Sequence, residues 1–408
     1  MRPYLDLLRR EKDFRRTYFA QLIALGGDWF AIIPLLVLLP QLTGTGLWGA
    51  AVLAADTLVF ALISPYAGTV VDRLDRRRVI VVANTVAGLA ALLLVLVRSE
   101  ATAWIALVAI GIVAAAKAFT QPAGAAAIPN LVDPEDLATA SVLNGASWGT
   151  MLAVGAALGG LVAGTLGTTV CFVVDAVLLL GAAVLTASTK RPFSDPSAPV
   201  RERRPVHQDV GEAVRYARRE HRVLALITCK SGPAFGNGAL SLFPLYGAAA
   251  FGLGELGIGL MYSARGVGAL IGPLVTRRRA SDPDRLYAVL AGSMAVFGIG
   301  YLLLGVTGWF WLVLLLLVVA HAGGGANWIL STYGLQRTVP DELRGRVFSA
   351  DYTLATLIIA GSQVVFGLLG DHVEARVLLS ASGGIVLLYA GLWFLATRRL
   401  RSPAPVGG

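Results

Sequence analysis

Long apolar stretches divided by short polar turns run the length of this chain. Windows of about 20 mostly apolar residues, enough to cross a bilayer core, fall at 16–39, 46–71, 78–98, 102–128, 139–165, 168–189, 222–249, 255–276, 285–305, 309–335, 346–370 and 375–397. Twelve membrane-spanning helices are therefore predicted. Two of these windows are interrupted, 102–128 by Lys117 and Pro122 and 222–249 by Lys230 and Pro233. Connections such as Thr43 to Gly46, Gly167 to Thr169 and Thr307 to Gly308 are too short for a domain outside the membrane.

One connection, 190–221, is long and polar. It opens on Lys190-Arg191-Pro192 and carries Pro196, Pro199 and Pro205, as a linker would. Beyond Val206 the apolar residues Val210, Ala213, Val214 and Ala217 recur at helical spacing, which predicts a short amphipathic helix, either along the membrane surface or solvated. The expected organisation is a six-helix bundle at 1–189, a linker at 190–221 and a second six-helix bundle at 222–408. An internal echo supports this duplication: Gly68 with a basic cluster at 73–78 recurs as Gly272 with Arg277, Arg278 and Arg279, half a chain later.

Composition agrees with the pattern. Apolar residues make up 56% and charged residues 14% of the 408, against roughly a quarter charged in soluble domains. Of the 34 Lys and Arg, 29 lie before the first span, in alternate connections or after the last span. With both termini placed in the cytoplasm, this is the positive-inside asymmetry. The +9 net charge then reads as topology and contact with membrane lipids, not nucleic-acid binding. No cleavable signal peptide is expected, since the charged start leads directly into a run long enough to span. Cys171 and Cys229 both fall in spans and predict neither a disulfide framework nor a metal site. The chain carries no Gly-x-x-x-x-Gly-Lys-Ser/Thr, His-Glu-x-x-His or nucleophile-elbow motif, so no enzyme and no cofactor are expected.

Gly68, Asp72, Arg73, Arg76 and Arg77 occupy the positions of the loop motif Gly-x-x-x-Asp-Arg/Lys-x-Gly-Arg/Lys-Arg/Lys, with Asp75 in place of the second glycine. On this motif and the two six-span halves, the chain resembles the major facilitator superfamily of secondary transporters. Phe14-Arg15-Arg16 with Gly26-Gly27-Asp28-Trp29-Phe30, Pro122-Ala123 through Pro129-Asn130-Leu131-Val132, Phe172-Val173-Val174-Asp175-Ala176 and Arg344-Gly345-Arg346-Val347 are similar to the third subgroup of bacterial drug:proton antiporters, which includes macrolide and siderophore exporters. The antiporter motif of the fifth span differs: Gly155-Ala156-Ala157-Leu158-Gly159-Gly160 lacks its proline.

The resemblance implies an all-α transporter of the bacterial inner membrane, acting as a monomer on a small-molecule substrate exchanged for protons; the alternatives are a lysophospholipid or lipid carrier or a nutrient importer of the same fold, or a non-transporting membrane receptor. It implies that Asp72 and Arg73 latch the two halves, and that the first and fourth spans of each half line a central cavity. Arg76 and Arg77 complete the gating motif, but with Arg78 they are expected to be lipid-facing charges. Gly155, Gly159, Gly160 and Gly164 are expected to let helices approach closely.

An ionisable group inside hydrocarbon costs about 2.5–3.5 kcal/mol or more, so each one is a functional hypothesis. Asp28, in the first span, is the leading proton carrier. Burial opposes its charge and a nearby cation favours it, so Asp28 facing Lys117 would alternate between proton-bound and ion-paired forms, the alternative being a fixed structural pair. Gln121 lies one turn beyond Lys117. Lys230 opens the seventh span, where it either functions or snorkels to the membrane surface. Arg265 is expected to face protein and to pair with Asp351 or Asp56, two acids read as lying near span ends and partly hydrated. His321 has a pKa range suited to proton coupling, around 6.5, but a hydrogen-bonded packing role is favoured. Asp175 reads as structural. Trp29, Phe30, Phe119, Trp148, Phe235, Phe243, Trp328 and Tyr333 would suit an amphipathic or cationic organic substrate.

Overall fold

The computed structural model describes residues 2–71, 74–193, 215–280 and 283–400. Among them there are helices and turns and no strand, the outcome a bilayer imposes by leaving every backbone N–H and C=O to be satisfied within its own segment. A short helix, α1 (Arg2–Arg10), leads into α2 (Lys12–Thr43), α3 (Leu47–Val71), α4 (Arg76–Leu93), α5 (Trp104–Leu131), α6 (Leu137–Leu166) and α7 (Thr168–Ala187). The later part holds α8 (His221–Thr228), α9 (Ser231–Asn237), α10 (Phe243–Phe251), α11 (Glu255–Ala280), α12 (Pro283–Leu304), α13 (Phe310–Thr338), α14 (Asp341–Gly370) and α15 (Ala375–Ala396).

Among the described residues, eleven helices are long and apolar enough to cross a membrane by themselves. The twelfth predicted span, 222–249, is broken into α8, α9, a 3-10 turn at Gly238–Leu242, and α10. Pro233 gives the reason. A proline has no N–H and its ring crowds the carbonyl four residues back, here that of Cys229, where α8 ends. Such irregular backbone is tolerated only inside protein, and all five residues of Gly238–Leu242 are buried. A side chain at Gly238 would meet the backbone carbon of Ser362 at 2.6 Å, so the turn lies directly on α14.

The helices stop where local chemistry stops them. Gly44, at φ +72°, caps α2 with its N–H on the Pro40 carbonyl at 2.9 Å. Gly167, at φ +88°, makes the tight turn from α6 to α7. Asp75, the departure from the loop motif, accepts a hydrogen bond from the Arg78 N–H at 2.8 Å and so caps α4.

The chain divides into two compact units, one built on its first half together with Gly254–Ser263, the other on the remainder. In the first unit, buried faces of α2 to α7 meet in alanine- and leucine-rich clusters, while Leu62, Val82, Leu89, Leu161, Val177 and Val184 point outward in the manner of lipid-facing side chains. The second unit centres on Leu226, Leu290, Met294, Leu335 and Trp393.

The start of the predicted linker belongs structurally to the first unit. Phe193 is fully buried among Leu7, Phe14, Val71, Ile80 and Leu131. Asp13 accepts from the N–H groups of Lys190 and Arg191 at 3.1 and 2.8 Å, and Arg16 donates to the Ser188 carbonyl at 2.9 Å. Arg76 donates to the carbonyls of Ala126 and Phe193, at 2.8 and 3.2 Å, and Arg77 to that of Thr189 at 2.6 Å. These two arginines therefore turn inward onto backbone carbonyls of α5 and of the segment after α7 instead of facing lipid. Most of the predicted amphipathic helix lies outside the described residues; of its periodic positions, Ala217 is buried in the core of the second unit.

Candidate functional site

The first unit brings three helices to one charged cluster. Lys117, near the middle of α5, holds its Nζ 2.6 Å from Asp56 Oδ1 on α3 and 3.3 Å from Asp28 Oδ2 on α2. The three side chains are only 10–25% exposed. In a low-dielectric setting, opposite charges this close dominate their surroundings. The arrangement is asymmetric in charge: two carboxylates share one ammonium, leaving a surplus negative charge that one proton would cancel. The second oxygen of Asp28 is buried without a hydrogen bond among the described residues.

Asp56 is the residue that sequence reasoning placed wrongly, as a group near a span end. A signal was present. In the neighbours α3 and α5, which run parallel because α4 returns the chain between them, Asp56 and Lys117 each lie within one turn of their helix's middle, so packing these helices side by side puts them at one depth. Gln121, one turn beyond Lys117, is exposed.

A fourth charged residue lies close by. Asp175 on α7 is fully buried, and Asp28 and Lys117 are the charged groups that act on it. A Cβ built on Gly27 would stand 2.8 Å from Asp175 Oδ1, so the glycine before Asp28 is what lets the carboxyl fit against α2.

The second unit carries a separate pair. Lys230, at the junction between α8 and α9, forms an ion pair with Asp351 on α14, donates to Thr332 Oγ1 at 3.1 Å and lies 5.1 Å from the ring centre of Trp328. Tyr352 packs edge-on to that ring. Two expectations change here. Lys230 does not snorkel, being 2% exposed, and Asp351 is no hydrated end-of-span residue, being 5% exposed. The reason is that α14 starts at Asp341, which puts Asp351 nearly three turns inside, opposite the unwound junction. Arg265 was expected to pair with Asp351 or Asp56, but those acids face Lys230 and Lys117. His321 shares a 3.0 Å hydrogen bond with the Tyr301 hydroxyl and sits edge-on to Phe297 and Tyr301.

The aromatic residues have separate neighbours within each unit. Trp29 packs on Tyr262, Phe235 on Phe366, Trp328 beside Lys230 and Tyr333 beside Arg337. Phe243 is wholly buried and Trp148 is exposed.

Of the gating motif, Asp72 and Arg73 lie outside the described residues. The glycines of α6 split into two lines. Side chains at Gly155 and Gly159 would strike Trp29, the latter 2.6 Å from its carbonyl oxygen, whereas Gly160 and Gly164 face Glu255 to Gly259 of α11 within the same unit. The five-residue step from Gly159 to Gly164 turns the helix onto its other face, so these four residues do not share one stripe.

Charges paired among membrane-spanning helices are an arrangement common in transporters. A model of the Major Facilitator Superfamily matches residues 17–355, and the chain belongs to that superfamily. Solved structures of several transporters share its fold. A bacterial homolog of the human lysosomal transporter Spinster, inward-facing and unoccupied, is similar over 100% of both chains at 15% identity and a TM-score of 0.74. A POT family transporter in complex with 5-aminolevulinic acid is similar at 10% identity and a TM-score of 0.76, and one in complex with a thioalcohol-conjugated peptide at 10% and 0.78; both alignments cover 96% of this chain and 97% of the other. No curated protein sequence matches the chain.

Proposed function

We propose that this superfamily member is a proton-coupled exporter of a small organic molecule, working by alternating access in a bacterial inner membrane with both termini cytoplasmic. The observation that carries the coupling is the placement of one lysine between two acids on different helices. When Asp28 is ionised, Lys117 is shared and α2, α3 and α5 are tied together. When Asp28 takes a proton, Lys117 and Asp56 form a neutral pair and the tie to α2 is released. Proton binding thus becomes a change in helix contacts, which a transporter needs if it is to link an ion gradient to a conformational equilibrium. The motifs of the drug:proton antiporter subgroup support the outward direction.

The test uses everted vesicles under an imposed pH gradient. Added substrate should release protons in the parent protein, and Asp28→Asn, which keeps shape and removes titration, should abolish that release while substrate binding persists. Undiminished release in Asp28→Asn would refute the assignment.

A further inference from the structure

Asp175 has no place in the coupling scheme above, yet its surroundings are those of a group that works. It is 0% exposed, and neither of its carboxyl oxygens has a hydrogen-bond partner among the described residues. Its neighbours along α7 fall into two apolar clusters. Val174 and Leu178 pack with Phe30, Ala163 and Cys171, while Ala176 and Leu179 pack with Ala87, Ala90 and Val113. The Cys171 thiol, one turn away, donates to the Gly159 carbonyl at 3.7 Å instead.

An anion held there without a donor would bear its full desolvation penalty. The cation of the cluster, Lys117, is already shared by Asp56 and Asp28 and makes no ion pair with Asp175 among the described residues. Other charged residues are remote from this depth or absent: α2 contributes Asp28 at mid-span, α4 has its arginines at the Arg76 end, and α6 holds no ionisable residue. A purely structural acid would be hydrogen-bonded, since buried polar groups nearly always are. An aliphatic side chain would fill the same space without penalty.

We infer that Asp175 is a second proton-binding site, which carries its proton as the neutral acid in the resting protein, beside the Asp28–Lys117–Asp56 cluster. Three acids around one lysine then reach neutrality with two protons, one on Asp175 and one shared by the pair that flanks Lys117. Gly27 keeps the two sites in communication, because its missing side chain is what lets the Asp175 carboxyl lie against the helix that carries Asp28.

This assignment draws its role from the proton-coupled reading, but its test does not involve transport. Purified protein in lipid nanodiscs, labelled with carbon-13 aspartate, is measured by infrared spectroscopy in H2O and D2O. A protonated carboxylic C=O band that shifts with both isotopes should be present in the parent protein, retained in Asp28→Asn and lost in Asp175→Asn. Asp175→Leu should lose the same band, which covers the case in which the asparagine variant folds poorly. A parent spectrum without such a band, or a carboxylic C=O region unchanged from the parent's in both Asp175 variants, would overturn the proposal. Failure here would leave the Asp28→Asn coupling test unaffected, so the two readings stand or fall separately.

Discussion

At the scale of single residues, the two lysines inside the membrane answer the same problem differently. Lys117 remains partly accessible and is shared by two acids, an arrangement that can exchange partners. Lys230 is 2% exposed and held by Asp351, Thr332 and the face of Trp328, which satisfies it from several directions. Breaking a buried ion pair by removing one member costs about 3–5 kcal/mol, whereas replacing both with apolar residues is often neutral. Lys230→Met should therefore lower the melting temperature of the purified protein sharply, and Lys230→Met with Asp351→Leu should recover most of the loss. Equal melting of the single and double variants would show that the pair is not closed off from water.

Element by element, close helix approach is set by which glycines face which neighbour. Gly159 stands against the backbone of α2, where even a methyl group would be 2.6 Å from the Trp29 carbonyl oxygen. At Gly164 the nearest atom is 3.9 Å away, an ordinary contact. Gly159→Ala should destabilise by roughly 1–3 kcal/mol, the usual range for overpacking. Gly164→Ala should melt like the parent protein, a contrast that thermal unfolding in detergent can read directly. The broken seventh span follows the same logic: Pro233 ends α8, and the glycines at 236 and 238 let the unwound segment press on its neighbours.

For the whole molecule, the superfamily fold and the distribution of arginine and lysine make a topological prediction. Positions 74 and 281, in corresponding turns of the two halves, should lie on the same side of the bilayer. Cys171 and Cys229 are fully buried and supply a quiet background. Single cysteines at Leu74 and Ser281 should react with an impermeant maleimide from the cytoplasmic side only. Labelling of the two from opposite sides would break the duplicated topology.

What the sequence determined unaided was the all-helical membrane architecture, the pairing of motifs between halves and the roster of charged residues inside spans. Each of these is a one-dimensional property: a bilayer responds to the mean hydropathy of about 20 consecutive residues and to the charges that flank them. Tertiary structure decided the partners. Which acid meets Lys117 depends on the rotation and depth of three helices, and a helix turns by about 100° per residue, so small offsets exchange one face for another. That is why Asp56 and Asp351 could be named as intramembrane acids from the sequence but not joined to Lys117 and Lys230. It is also why Gly159 and Gly164, five residues apart, separated onto different neighbours, and why Arg76 and Arg77 found backbone carbonyls distant in sequence that no linear pattern displays.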